Sequence, residues 1–175
     1  MAATTTLSEP FSSSSSSSSY RAPDDYKYDV FLSFRGVDTR MNFTDHLYHA
    51  LEKAGFRTFR DYGMNEGGKY HSSDISQVIE GSRIFLIVLS KNYASSPWCL
   101  GELVKILQCC RSSNQMVVPI FYDVSPSDVR NQSGTFEKAL LKHEKHYYLD
   151  VAIWRGALTE IASISGLNLE STADG

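Results

Sequence analysis

Long apolar runs are missing from this sequence. None of its 175 residues fall in a stretch approaching the roughly 20 apolar residues of a membrane helix, and the start lacks the apolar centre of a secretory signal. The expectation is a chain with no membrane partner, working in solution. Cysteine is scarce as well. The three present are Cys99, Cys109 and Cys110, of which two are adjacent and poorly placed to bridge each other, and none stands at metal-binding spacing. That usage suits a reduced compartment, the cytoplasm by default and the nucleus as the alternative. Positive charge is not in excess either. Lys and Arg total 17 against 20 Asp and Glu, a net charge near −3 without a basic run, which argues against nucleic acid as an electrostatic partner.

The usual phosphate-binding motifs are also absent. No Gly-x-Gly-x-x-Gly follows a strand and no Gly-x-x-x-x-Gly-Lys-Ser/Thr occurs, so neither the dinucleotide-binding fingerprint nor the nucleotide triphosphatase loop is present. A phosphoacceptor domain needs paired acids after its first strand and an aspartate after its third; Ser33-Phe34-Arg35 and Ser90-Lys91 stand there instead. The histidines at 46, 49, 71, 143 and 146 have no metal-ligand spacing and read as surface residues, so no metal is expected. No Ser-His-Asp arrangement can be argued.

Residues 1–25 hold Thr4 to Thr6 and an unbroken serine run, Ser12 to Ser19, too polar and repetitive to bury a core. They read as a disordered leader; Glu9, Asp24 and Asp25 count against a plastid transit peptide. Residues 26–169 read as one domain and 170–175 as a tail. Within the domain, Val30 to Phe34 is nearly continuous in apolar residues, the pattern of a strand buried on both faces of a parallel sheet. Phe43, Leu47, Ala50, Leu51 and Ala54 then recur at helical spacing up to a stop at Gly55. Asp38 or Asn42 is placed to cap that helix. A strand at Phe56 to Arg60, a helix carrying Ile75, Val78 and Ile79, a strand at Ile84 to Leu89 and a helix from Trp98 to Cys110 follow. Val117 to Tyr122 reads as a strand, Lys138 to Lys145 and Ile153 to Ser163 as helices, and Leu167 to Leu169 as a brief fifth strand. Alternation of this kind predicts an α/β, flavodoxin-like, three-layer fold around a mainly parallel sheet of about five strands.

In such sheets ligands bind beyond the carboxyl ends of the strands. The first and third strands must end close together, and two segments then share one crevice. One is Ser33 to Arg40, where Arg35, Gly36 and Arg40 are suited to an anion. The other is Ser90 to Pro97, running on into Trp98-Cys99-Leu100-Gly101-Glu102, where Ser96 suits an N-cap, Pro97 the first helical position, and Glu102 follows about one turn later. Glu102 is a candidate for the crevice, beside the plainer reading of an acid placed for the helix dipole. Trp98 likewise stands between ligand contact and core packing.

Several motifs in order resemble the plant Toll/interleukin-1 receptor (TIR) domains that begin many intracellular immune receptors. They are Tyr28 to Gly36, Asp38-Thr39-Arg40, Phe43-Thr44, Thr58 to Asp61, Asn92 to Ser96, Trp98-Cys99-Leu100 with Glu102-Leu103, Pro119 to Tyr122 and Pro126 to Arg130. The resemblance implies an enzyme that cleaves NAD+ between nicotinamide and ribose when TIR domains self-associate, with NAD+ as substrate, no cofactor, and NADP+ as a second candidate substrate. It puts the catalytic glutamate on Glu102 and nucleotide contacts on Arg35 to Arg40, Gly68 and Trp98. It also implies TIR partners, in homo- or hetero-oligomers. The chain departs from the family over Tyr62 to His71, where Gly63 and Gly67 raise the entropy lost on ordering. Leu167 stands where relatives commonly have tryptophan, and the family's usual final helix is expected to be missing. The competing expectation is a non-catalytic TIR–TIR interaction module.

Overall fold

The computed structural model describes residues 25–60 and 72–169. The expected leader, tail and divergent 62–71 loop, with Gly68, lie outside the described residues. Five parallel strands form one sheet: β1 (Tyr28–Phe34), β2 (Thr58–Arg60), β3 (Ser82–Leu89), β4 (Met116–Tyr122) and β5 (Leu167–Leu169), in the order β2-β1-β3-β4-β5. The flavodoxin-like fold is confirmed, and the sense in which successive strands are added across the sheet reverses at the seam between β1 and β3. Val30 pairs with Ile84, Leu32 with Leu86 and Phe34 with Val88, which fixes the two strands in register up to their carboxyl ends.

Seven described helices connect and flank these strands: α1 (Gly36–Thr39), α2 (Phe43–Lys53), α3 (Ser72–Glu80), α4 (Pro97–Ser112), α5 (Pro126–Asn131), α6 (Thr135–His143) and α7 (Tyr148–Ile161). Period-two alternation divides β1 between two cores. Val30, Leu32 and Phe34 face a smaller cluster that receives Phe43, Leu47, Tyr48 and Leu51 of α2. Phe31 faces the larger cluster, built with Ile75 and Ile79 of α3, Leu100, Leu103, Ile106 and Leu107 of α4, and Trp154, Leu158 and Ile161 of α7. Three layers result.

Several element ends differ from the sequence expectation. The second strand begins at Thr58, because Phe56 is exposed and Arg57 turns back to hydrogen-bond Asp29. Ala50 and Ala54 lie on the solvent side of α2, so its buried stripe is narrower than its apolar residues suggest. Helices α1 and α5 were not expected. The second is capped by Ser125, whose Oγ accepts from the Ser127 N–H, with Pro126 at the first helical position, a start signal spent on only six residues. Helix α7 begins five residues before Ile153, carrying the exposed Tyr148 and Leu149. His143 is half-buried rather than on the surface, its Nε2 lying 3.0 Å from the Ala94 carbonyl and its ring against Trp154.

Candidate active site

Only one residue of β1 turned toward α4 near the strand's end is polar. Ser33 follows Phe31 on that face and is 0 % exposed. Opposite it, α4 starts as the sequence predicts, with Ser96 Oγ accepting from the Cys99 N–H at 3.3 Å and Pro97 in the first position. Glu102 is the sixth residue of α4, beyond its first turn, so it is not placed for the helix dipole. It lies on the buried stripe with Cys99, Leu103 and Ile106 and is 6 % exposed. Acids reach such positions rarely, because taking a carboxylate out of water is costly without compensating donors. Here Ser33 Oγ donates to Glu102 Oε2 at 2.9 Å. Tyr93, fully buried in a single 3₁₀ turn at Tyr93–Ser95, brings its hydroxyl to 3.0 Å from Ser33 Oγ and donates to the Cys99 carbonyl at 3.1 Å. Burial pushes the Tyr93 phenol well above its ordinary range, helped by the neighbouring Cys99 and Glu102. Tyr93 is therefore a neutral donor.

The loop after β1 is tied to the loop after β3. Asp38 accepts from Ser90 Oγ at 2.6 Å, from the Asn92 backbone N–H at 3.0 Å and from Asn92 Nδ2 at 3.2 Å. It also lies 3.8 Å from Arg35 Nε, which offsets part of that cation's charge. Asp38 thus works as an internal clamp. Thr39 is fully buried and accepts from the Thr44 hydroxyl at 2.7 Å, so its side chain faces the protein, whereas Val37 is exposed. The Arg40 guanidinium lies across Gly36, where an added Cβ would stand 2.5 Å from Nη2, and 5.9 Å from the centre of the Phe34 ring. Gly36 is required for that close approach. Trp98, the second residue of α4, is half-buried and packs on the larger core cluster. The structure therefore brings Glu102, Arg35, Gly36 and Arg40 to the carboxyl end of β1, and spends Asp38 and Thr39 on holding that loop.

Sequence reasoning placed Ser33, Ser90, Asn92 and Tyr93 in the two crevice segments but gave none of them a role. The signal for Ser33 was available as a hydroxyl inside an otherwise apolar buried strand. Glu102 could have been placed by helical phase, three residues after Cys99 and four before Ile106. Among the described residues there is no group of three or more His, Cys, Asp or Glu able to hold a metal.

The family profile described as TIR domain matches residues 27–174. This chain belongs to the TIR domain family. It is similar to the disease resistance protein RPV1 of Vitis rotundifolia, with 50 % identity over 159 residues, covering 91 % of this chain and 11 % of that protein. It resembles the TMV resistance protein N of Nicotiana glutinosa to the same 50 %, covering 87 % of this chain and 13 % of that protein. The TIR domain thus spans about an eighth of these relatives. In solved structures it resembles the TIR domains of the activated Roq1 resistosome, which directly recognises the pathogen effector XopQ. That match has 49 % identity and a TM-score of 0.75, covering 85 % of this chain and 91 % of that one. This TIR domain is of the plant disease-resistance kind, and its fold is that of the Roq1 TIR domains.

Proposed function

We propose that this TIR domain hydrolyses NAD+ at the bond between nicotinamide and ribose, as part of a plant immune receptor pathway, when copies associate. The observation that carries the reading is the buried carboxylate of Glu102, held by Ser33 where β1 and β3 end, the place at which this topology receives ligands. Nicotinamide leaves with the bonding electron pair of its ring nitrogen and becomes neutral, so no general acid is needed. Positive charge grows on the ribose as in glycoside cleavage, and a carboxylate beside the sugar stabilises it. Water then supplies the hydroxyl to the anomeric carbon and releases a proton. Arg35, Arg40 and the backbone at Gly36 are suited to the diphosphate, and Trp98 to the sugar or base. Removing Glu102 is expected to raise the barrier by about 3–4 kcal/mol, the cost of losing one preorganised charge stabiliser.

A second reading, a non-catalytic TIR–TIR module, is favoured by the near-complete burial of Glu102 in the single chain. The catalytic reading accounts for that burial if association opens the crevice; the Roq1 TIR domains come from an assembled resistosome. The decisive assay incubates concentrated, crowded or clustered protein with NAD+ and follows nicotinamide release. Turnover by the native chain and none by Glu102→Ala supports the enzyme. Equal turnover removes the catalytic assignment of Glu102, and none by either form when clustered leaves the interaction module.

A further inference from the structure

We infer that Ser33 is the positioning residue of Glu102, and that Tyr93 in turn fixes Ser33, an inference that rests on the catalytic reading of Glu102. Ser33 and Tyr93 carry one hydroxyl proton each, and four oxygens meet: Ser33 Oγ, Tyr93 Oη, Glu102 Oε2 and the Cys99 carbonyl. With Glu102 ionised, the serine proton points to the carboxylate at 2.9 Å. The phenol proton is the one left for the 3.0 Å contact between the two hydroxyls, and it is shared between Ser33 Oγ and the Cys99 carbonyl at 3.1 Å. The donor sequence runs from Tyr93 to Ser33 to Glu102, each member polarising the next.

Nothing in this arrangement is free to swing. Ser33 sits in the centre of the parallel sheet between β2 and β3, with its backbone in register with Ile87, and is fully buried. Tyr93 is also fully buried in the turn entering α4. A carboxylate on a flexible glutamate stem thus receives its orientation from a rigid strand, as preorganised charge stabilisation requires. Ser33 touches Glu102 rather than substrate, so its effect passes through the carboxylate.

The test uses the full chain under clustering conditions, with NAD+ as substrate and nicotinamide release as the rate. Ser33→Ala is expected to lower kcat by about tenfold to a hundredfold, the scale for a misplaced catalytic group, with KM within about twofold. Tyr93→Phe, which removes one oxygen and leaves the ring in place, should lower kcat by about threefold to tenfold, since Ser33 still reaches Glu102. An independent readout is the Glu102 carboxylate stretch, isolated as the infrared difference between the native chain and Glu102→Gln, which should shift in Ser33→Ala. Native kcat in Ser33→Ala, a loss confined to KM, or an unmoved carboxylate band would each overturn the positioning role. Those outcomes with an inactive Glu102→Ala leave the proposed activity standing. A fully active Glu102→Ala removes the catalytic assignment of Glu102 on which this inference rests.

Discussion

The two ends of the sheet treat acidic side chains in opposite ways. At the amino end, Asp29 leads β1 and meets Arg57 through its Nε at 3.0 Å, its Nη2 at 2.8 Å and its backbone N–H at 2.9 Å, all in partly exposed positions. At the carboxyl end, Glu102 is buried on an apolar stripe and accepts a hydrogen bond from a neutral serine hydroxyl. The first arrangement places a charge where water still helps to solvate it and pins the approach to β2. The second removes a charge from water, a costly choice in stability terms. Stability alone does not favour a glutamate there, and natural sites that break the rules of folding tend to be functional ones.

The largest test of that contrast is Glu102→Gln. If the carboxylate is present for chemistry, nicotinamide release should fall at least a hundredfold to a thousandfold. Thermal melting should show a midpoint equal to or above that of the native chain, because the neutral amide avoids the cost of a buried charge. A variant that loses both activity and stability would make Glu102 a structural residue and erase the difference between the two ends. Gly166→Ala supplies the opposite signature. A Cβ there would stand 2.3 Å from the Pro119 carbonyl oxygen, a backbone atom that cannot step aside. Denaturant unfolding should show a loss of about 1–3 kcal/mol, with activity per folded molecule retained.

Gly36→Ala sharpens the comparison within the crevice. Its added methyl meets the mobile end of Arg40 rather than backbone, so the guanidinium shifts while the fold is kept. Steady-state kinetics should show KM for NAD+ raised by about threefold to tenfold, against a melting midpoint moved by no more than a few degrees. An unchanged KM would remove Arg40 from the anion site.

Much of this was readable beforehand because local pattern and global packing agree. The buried runs at Val30 to Phe34 and Ile84 to Leu89, the stop at Gly55 and the Ser96-Pro97 helix start each point to the same element by independent physics. What escaped notice was the long-range pairing of hydroxyls and carboxylates. Ser33 and Glu102 are 69 positions apart, and Ser90 and Asp38 are 52 apart. Composition says nothing of such partners until strand order brings the ends of β1 and β3 together. Short elements escaped for another reason: α1 has four residues and α5 six, too few to display a helical period.

The smallest expected effect belongs to the amino end. The Arg57 guanidinium, hydrogen-bonded to Asp29, holds its carboxyl below the usual carboxylate range; the bond from the Arg57 backbone N–H adds to this, and burial opposes it. A lowered folded-state pKa means that the folded protein favours the ionised form. The stabilisation is therefore complete above the unfolded carboxylate range and is lost as pH falls through the folded value. Because the Arg57 side chain is 52 % exposed, water screens the pair and its worth is about 0.5–1 kcal/mol. Asp29→Asn should lower stability by about that amount at neutral pH, and the gap from the native chain should close as the pH is lowered into the acid range. Urea unfolding at neutral and acidic pH measures it directly. A gap of several kcal/mol, or one that persists unchanged in acid, would show that the amino end also depends on a buried carboxylate, and the contrast with Glu102 would fail.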